Sequence, residues 1–236
     1  GARFTEDYLD YGLDLNDLLE IVPLLVGTGK LDYVSIAAGT NYERKSATYI
    51  IPSHYFKPGQ FADLSERVKE LVDVPVIGVG RINSPVLAEQ LLAEGRMDLV
   101  GMARELIADP HLPNKAREGR LEDIRVCLAS NQSCKGHQER GVPITCIYNP
   151  VAGREKKWAE IPQAAAGEKV VVVGAGPAGM EAARVAAERG QDVIIYEKSA
   201  RLGGQVNLAM AAPNRESFGE IISFFESQLR RLNVQI

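Results

Sequence analysis

Apolar positions in the first 113 residues follow two alternating rhythms. Leu18, Leu19, Val22 and Leu25 recur at helical spacing within Leu15–Val26, and Gly27 ends the run. Asp32–Ile36 is a short apolar stretch that predicts a strand running into Ala37–Tyr42. Leu64–Val72 predicts a helix, with Asp63 and Ser65 near its start, and Val74–Val79 a strand ending in Gly80-Arg81. Ser84–Ala93 predicts a helix, with Pro85 early and Gly95 beyond its end. Asp98–Met102 predicts a strand leading to Ala103-Arg104. Strands and helices joined by turns of about 2–6 residues imply a parallel sheet. No nucleotide fingerprint falls in this half, so part of a (β/α)8 TIM barrel is the first choice and an open doubly wound sheet the alternative.

The rhythm breaks over 114–168. Asn114–Asp123 is polar and predicts a short helix, and Val151–Gly167 reads as a linker. From Lys169 a second pattern starts. The β-branched run Val170–Val173 meets a glycine turn, an Ala-rich helix follows, and Val193–Tyr196 is a second strand, a Rossmann-like βαβ start. Ser217–Leu232 predicts a helix whose Phe218, Ile221, Phe224, Phe225 and Leu229 belong to a core. The pattern divides the chain into 1–113, 114–168 and 169–236. Gly1–Phe4 reads as the tail of a strand and Asn233–Ile236 as the start of another, so a segment of a longer polypeptide is expected.

Composition narrows the class. Hydrophobic residues make up 45% and charged residues 25% of the 236, as in a globular chain. No apolar run approaches the ~18–20 residues of a membrane span, and a formal charge of −4 gives no reason to expect nucleic acid or an anionic membrane. Three cysteines argue against a disulfide framework and for a reducing, cytoplasmic compartment.

The chemistry sits in three places. The first is the glycine turn, G-x-G-x-x-G at Gly174, Gly176 and Gly179. Gly174 permits the tight strand-to-helix turn, Gly176 has no Cβ to hold a pyrophosphate off the backbone, and Gly179 lets helix and strand lie close. The helix's first amides and dipole then face the phosphates. Glu197 ends the second strand, where an acid accepts from ribose hydroxyls and repels a 2′-phosphate. Downstream, Arg201–Gln205 (RLGGQ) is a second glycine turn, with Gln205 as a side-chain donor. The second place is the set of strand-end loops, which carry the chemistry of a barrel: Arg3, Gly39–Glu43, Gly80-Arg81 and Ala103-Arg104. Two successive strands ending in Gly-Arg and Ala-Arg fit a phosphate site, and pairing with surface acids such as Asp98 or Glu105 is the competing explanation. The third is the segment RVCLASNQSCKGHQERGVPITCIYNP, which holds Cys127, Cys134 and Cys146. Clustered cysteines point to a metal or iron–sulfur site or to three unpaired thiols, and His137 reads as a loop residue.

VGRI and VGMAREL-ADP in a barrel half, then a cysteine loop, then GAGPAG with LGGQ downstream, is a rare order. It resembles the multidomain NADH:flavin oxidoreductases of the 2,4-dienoyl-CoA reductase and trimethylamine dehydrogenase type, from Arg3 to the C-terminus. The resemblance implies an old yellow enzyme-like barrel with FMN, a 4Fe–4S cluster, and a C-terminal site for FAD or ADP, with NAD(P)H as an electron donor. It implies that Arg3 lies near the flavin ring, and that Gly80, Arg81, Ala103 and Arg104 hold the FMN phosphate. Gly39, Thr40, Asn41 and Tyr42 would line the substrate face, and Ala178, Glu197 and Gln205 would contact the second nucleotide beside Gly174, Gly176 and Gly179.

One departure stands out. The dienoyl-CoA reductase spacing, C-x2-C-x3-C-x11-C, reads Cys127, Ser130, Cys134, Cys146 here. A hydroxyl ionises far less readily than a thiol, whose free pKa is about 8.5, so the cluster is expected to be serine-ligated, three-iron, labile or absent. The family's proton donor lies in the other barrel half, which leaves Tyr42 as the nearest titratable candidate, against a ring packed at its loop. GTNYE lacks the histidine-bearing loop of dienoyl-CoA reductases, which favours N-methyl amine or amino-acid substrates over enoyl or enone reduction. The expected protein is a flavin-dependent oxidoreductase acting on a small molecule. An electron-transfer partner protein and a homo-oligomer are further expectations. The rival is a non-catalytic nucleotide-binding or electron-transfer subunit.

Overall fold

The computed structural model describes residues 1–158 and 160–236, so Ala159 of the expected linker lies outside the described residues. The chain divides into two compact units, Gly1–Glu105 with Ala129–Asn131, and Leu106–Leu128 with Gln132–Ile236.

In the first unit, β1 (Ala2–Glu6), β2 (Val34–Ala38), β3 (Val76–Val79) and β4 (Leu99–Gly101) form one parallel sheet in the order β1-β2-β3-β4. A doubly wound sheet reverses its order at a switch point. Here every crossover lands on the next neighbour in the same direction, which is the winding of a barrel segment. The crossovers carry α1 (Leu15–Val26), α2 (Arg44–Ile50), α3 (Ala62–Lys69) and α4 (Pro85–Ala93). The α2 helix follows the GTNYE loop and has no sequence counterpart above; Glu43 at its N-cap makes no side-chain cap bond. In α1, by contrast, Asp14 accepts from the Asp17 N–H at 3.0 Å and Asp17 from the Asp14 N–H at 2.8 Å, a capping box.

Strand alternation assigns the faces. Val34, Ile36 and Val76 turn outward and pack with Leu18, Val22 and Val26 of α1 and Leu64 and Val68 of α3. Each such buried side chain contributes roughly 1.5–3 kcal/mol. Leu25 of α1 is 41% exposed, so the buried stripe runs Leu18–Val22–Val26 and not through Leu25. On the opposite face Arg3, Ser35, Ile77, Val79 and Gly101 line a concavity of about 350 Å³. In a closed barrel this face points inward.

In the second unit, β5 (Lys169–Val173) and β6 (Asp192–Tyr196) pair in parallel. Val170 and Val172 turn towards a core with Met180 and Ala183, while Val171 and Val173 are exposed at 54% and 85%. A helix at Pro177–Glu188 and another at Glu220–Arg231 supply the rest of that core, the latter through Ile221, Phe224, Phe225 and Leu229. The expected helix from Ser217 begins instead as a 3-10 turn over Glu216–Gly219. The connector is tied to this core by Arg125, whose Nη1 donates to Asn149 at 3.1 Å and Nη2 to Glu181 at 3.0 Å, with its guanidinium 4.7 Å over the Phe224 ring. Among the described residues, no helix is long and apolar enough to cross a membrane.

Candidate functional site

The strand ends after β3 and β4 bring the two expected arginines to one place. Gly80 has φ 118° and Arg81 φ 52°, a left-handed backbone that a non-glycine residue holds only where its surroundings demand it. The Arg81 side chain is buried, and its Nη1 donates to the His54 carbonyl at 3.1 Å. Arg104 donates to the Pro52 carbonyl at 2.8 Å and to Asn131 Oδ1 at 2.6 Å. Both bonds are made by Nη1, which leaves the Nε–Nη2 edge of the fork for an oxyanion. Asp98 accepts from Lys69 at 2.6 Å and from the Val76 N–H at 2.8 Å. Glu105 is only 4% exposed. Burial pushes its carboxyl above the usual range, opposed by its own and the Ala103 N–H and by the charges of Arg104 and Arg81. Two cations beside one buried acid fit a phosphate of a bound nucleotide.

Sequence reasoning missed the segment that organises this corner. Ile51–His54 presents the carbonyls of Ile51, Pro52 and His54 to Asn131, Arg104 and Arg81, and the His54 N–H donates to Ala129 at 3.0 Å. These partners lie 27 to 80 positions apart in the chain, beyond the reach of any local pattern.

The expected substrate loop is built on Gly39, whose φ of 81° and close approach to the Ser46 carbonyl leave no room for a side chain. Thr40 donates its N–H to Ser46 Oγ at 2.7 Å, and Ser46 donates to the Asp7 carbonyl. Asn41 and Tyr42 are exposed, Tyr42 at 87%. The Tyr42 ring is therefore not packed at its loop, which corrects that alternative. Tyr11 donates to Glu43 and links the loop after β1 to the loop after β2. Arg3 is exposed on the concave face in register with Ser35.

Cys127, Cys134 and Cys146 belong to the second unit, are half-buried, and form no disulfide. Ser130 belongs to the strip that packs with the first unit. Burial raises the Tyr148 hydroxyl far above its usual range, with negative charge at Cys146 adding to the rise and the Arg125 guanidinium opposing it. Among the described residues no three His, Cys, Asp or Glu side chains are grouped as around a metal ion. The donor set supplies three of the four thiolates of a 4Fe–4S cluster. His137 Nδ1 lies 2.9 Å from the Pro143 carbonyl, a loop contact.

The glycine turn has the expected mechanics. Gly174 has φ 96°, the space in front of a Cβ at Gly176 is open to 4 Å, and a Cβ at Gly179 would lie 2.0 Å from the Gly174 carbonyl oxygen. A pyrophosphate fits that opening, with the first helical amides, including Ala178 and Gly179, facing it. The second glycine turn closes on the first: Gly203 donates its N–H to Ala175 at 2.8 Å, and a Cβ at Gly204 would stand 3.2 Å from Gly176 Cα. Gln205 is exposed at the start of a short helix, Val206–Met210. Glu197 accepts from the Ala175 N–H at 2.7 Å and from the Ser199 N–H at 2.9 Å. These bonds, that of Ala175 first, hold its carboxyl down at about 2. The carboxylate has lone pairs left for a ribose hydroxyl.

A barrel segment with paired strand-end arginines, followed by a Rossmann-like turn, points to a flavoenzyme-type chain. Comparison with known proteins agrees. Residues 30–123 match the NADH:flavin oxidoreductase / NADH oxidase family and residues 169–232 the FAD dependent oxidoreductase family, and the chain belongs to the NADH:flavin oxidoreductases of the dienoyl-CoA reductase and trimethylamine dehydrogenase type. It is 42% identical to an NADH oxidase of Thermoanaerobacter brockii, over 99% of this chain and 36% of that protein. It is 37% identical to the N,N-dimethylglycine/sarcosine dehydrogenase of Chromohalobacter salexigens, over 100% of this chain and 34% of that protein. A solved 2-naphthoyl-CoA reductase complex superposes with a TM-score of 0.92 at 37% identity, over 99% of this chain and 35% of that one. The chain thus spans about a third of the length of these relatives.

Proposed function

We propose that the full-length protein is a flavin-dependent oxidoreductase acting on a small N-methylated amine or amino acid. Residues 1–113 would form the C-terminal half of an FMN-binding barrel, 114–168 a cluster-bearing connector, and 169–236 the start of an FAD- or ADP-binding domain. The observation that carries this reading is the convergence of Arg81 and Arg104 beside one buried acid, on a chain that also holds a complete dinucleotide turn. When bound, the flavins would supply hydride and single-electron chemistry; Cys127, Cys134 and Cys146 are the residues that would hold an iron–sulfur cluster, which would supply single-electron transfer, and they offer one thiolate fewer than a 4Fe–4S cluster takes.

The chain's own residues bind and orient. Arg81 and Arg104 fix the FMN phosphate, with Gly80 and Ala103 setting the turns that aim them. Arg3 places positive charge at the inner face, where it favours an anionic reduced ring. Gly39–Tyr42 forms the rim over the substrate face, with the Glu43 carboxylate and the Tyr11 and Tyr42 rings suited to a cation. In the second site, the amides after Gly176 hold the pyrophosphate, and Glu197 accepts from the ribose. NAD(P)H is the expected donor only if electrons run inward to an enoyl or enone substrate.

The test is anaerobic mixing of the full-length protein with N-methylated amino acids in the absence of NADH. Bleaching of the flavin absorbance supports the amine reading. Bleaching only by NADH, with reoxidation by an enone, overturns it in favour of a reductase.

A further inference from the structure

We propose that Asn131 is a positioning residue that couples the flavin-phosphate arginine to the cysteine-bearing loop. The proposal rests on the FMN reading of the Arg104 corner. The strip Ala129–Asn131 lies in the chain between Cys127 and Cys134 and packs with the first unit. Ala129 has φ 53° and Asn131 φ 60°, and the left-handed region is strained for an alanine. Such a backbone persists only where its surroundings over-determine it, and here three hydrogen bonds reach the strip, with a fourth fixing the arginine that makes one of them. The His54 N–H donates to the Ala129 carbonyl at 3.0 Å, and Asn131 Nδ2 donates to the Ile51 carbonyl at 2.9 Å. Arg104 Nη1 donates to Asn131 Oδ1 at 2.6 Å and to the Pro52 carbonyl at 2.8 Å.

The guanidinium therefore has two jobs. One nitrogen holds the strip, and the opposite edge of the same rigid fork faces the oxyanion site. A phosphate on that edge fixes the plane of the fork, and with it the acceptor geometry at Asn131. Coupling of this kind is reciprocal: whatever orders the strip also pre-organises Arg104 for the phosphate. Ser130 sits between the two constrained residues, so the same bonds set the backbone of the position that departs from the four-cysteine spacing.

The test uses the full-length protein, FMN-loaded and FMN-stripped, with hydrogen–deuterium exchange followed in peptides covering 80–82 and 127–134. In wild type, FMN slows exchange in both, by about tenfold in 127–134, the scale of one charge-assisted hydrogen bond. Asn131→Gly keeps the left-handed backbone and deletes both side-chain bonds. It abolishes the FMN effect in 127–134, leaves that in 80–82, and weakens FMN binding by about tenfold. Asn131→Asp restores the acceptor for Arg104 and recovers the FMN effect in 127–134. The coupling is overturned if FMN protects 80–82 but not 127–134 in wild type, or protects 127–134 equally in Asn131→Gly. Protection of neither segment overturns the FMN reading itself.

Discussion

Gly179 leaves no space for a side chain, since a Cβ there would lie 2.0 Å from the Gly174 carbonyl oxygen. That oxygen is backbone and cannot yield as a flexible side chain would, so Gly179→Ala must displace the Gly174–Gly179 turn, the proposed pyrophosphate site. The expected outcome is a loss of at least tenfold in affinity for FAD or ADP, measured by nucleotide retention, with FMN unchanged. Glu197 makes a second residue-scale prediction. Its folded pKa of about 2 lies below the unfolded value of about 4.3. Its bonds to Ala175 and Ser199 therefore stabilise the turn fully above the unfolded value and are lost as pH falls through the folded one. Retention of the second nucleotide should not vary on Glu197's account from pH 8 to 5, and the carboxylate's contribution should disappear between about pH 4.3 and 2. Glu197→Gln, measured at pH 7, should bind that nucleotide more weakly, because a charged acceptor is replaced by a neutral one.

These residues were legible in the sequence because their constraints are local. A glycine at φ 96° or one pressed against the turn five positions behind it declares itself within a few residues. Asn131 and Ile51–His54 were not legible, because their partners are fixed only once distant loops meet.

At the scale of elements, α1 shows what capping contributes. Its reciprocal Asp14–Asp17 bonds satisfy amides that the first turn leaves without intrahelical partners. Asp14→Ala should cost about 1 kcal/mol, read as a shift in the urea midpoint. Leu18→Ala, at a side chain with no exposure, should cost roughly 2–5 kcal/mol by loss of burial and creation of a cavity. Helical spacing located α1, α3 and α4 within a few residues, yet Leu25, one of the positions it marked, lies outside the buried stripe. Spacing describes a cylinder, and only the sheet decides which side of it is covered. The α2 helix escaped notice because Ser46 is its one buried residue, so no apolar stripe marks it.

At the scale of the molecule, strand order separates the two architectures that the sequence left open. Alternating strands and helices are common to barrels and doubly wound sheets, and the difference lies in which neighbour each crossover reaches. The order β1-β2-β3-β4 makes the first unit a barrel segment, and its concave face carries Arg3 among small and apolar residues. The second unit joins the cysteine connector to the nucleotide helix through Arg125 and Glu181, a tie that no sequence motif announces. Arg125→Ala removes the bonds to Asn149 and Glu181 while Arg184 still pairs with Glu181, so it should destabilise the unit by about 1–3 kcal/mol in denaturant unfolding.

The central claim is that one protein carries FMN at Arg81 and Arg104 and a second nucleotide at the Gly174–Gly179 turn. It is tested most directly by the cofactor content of the full-length protein purified without air: FMN, FAD, ADP, iron and acid-labile sulfide per chain. The account predicts FMN together with FAD or ADP, and iron with sulfide if three cysteines suffice to hold a cluster. Flavin without iron would mean that Ser130 marks a lost cluster, and a protein without FMN would contradict the account.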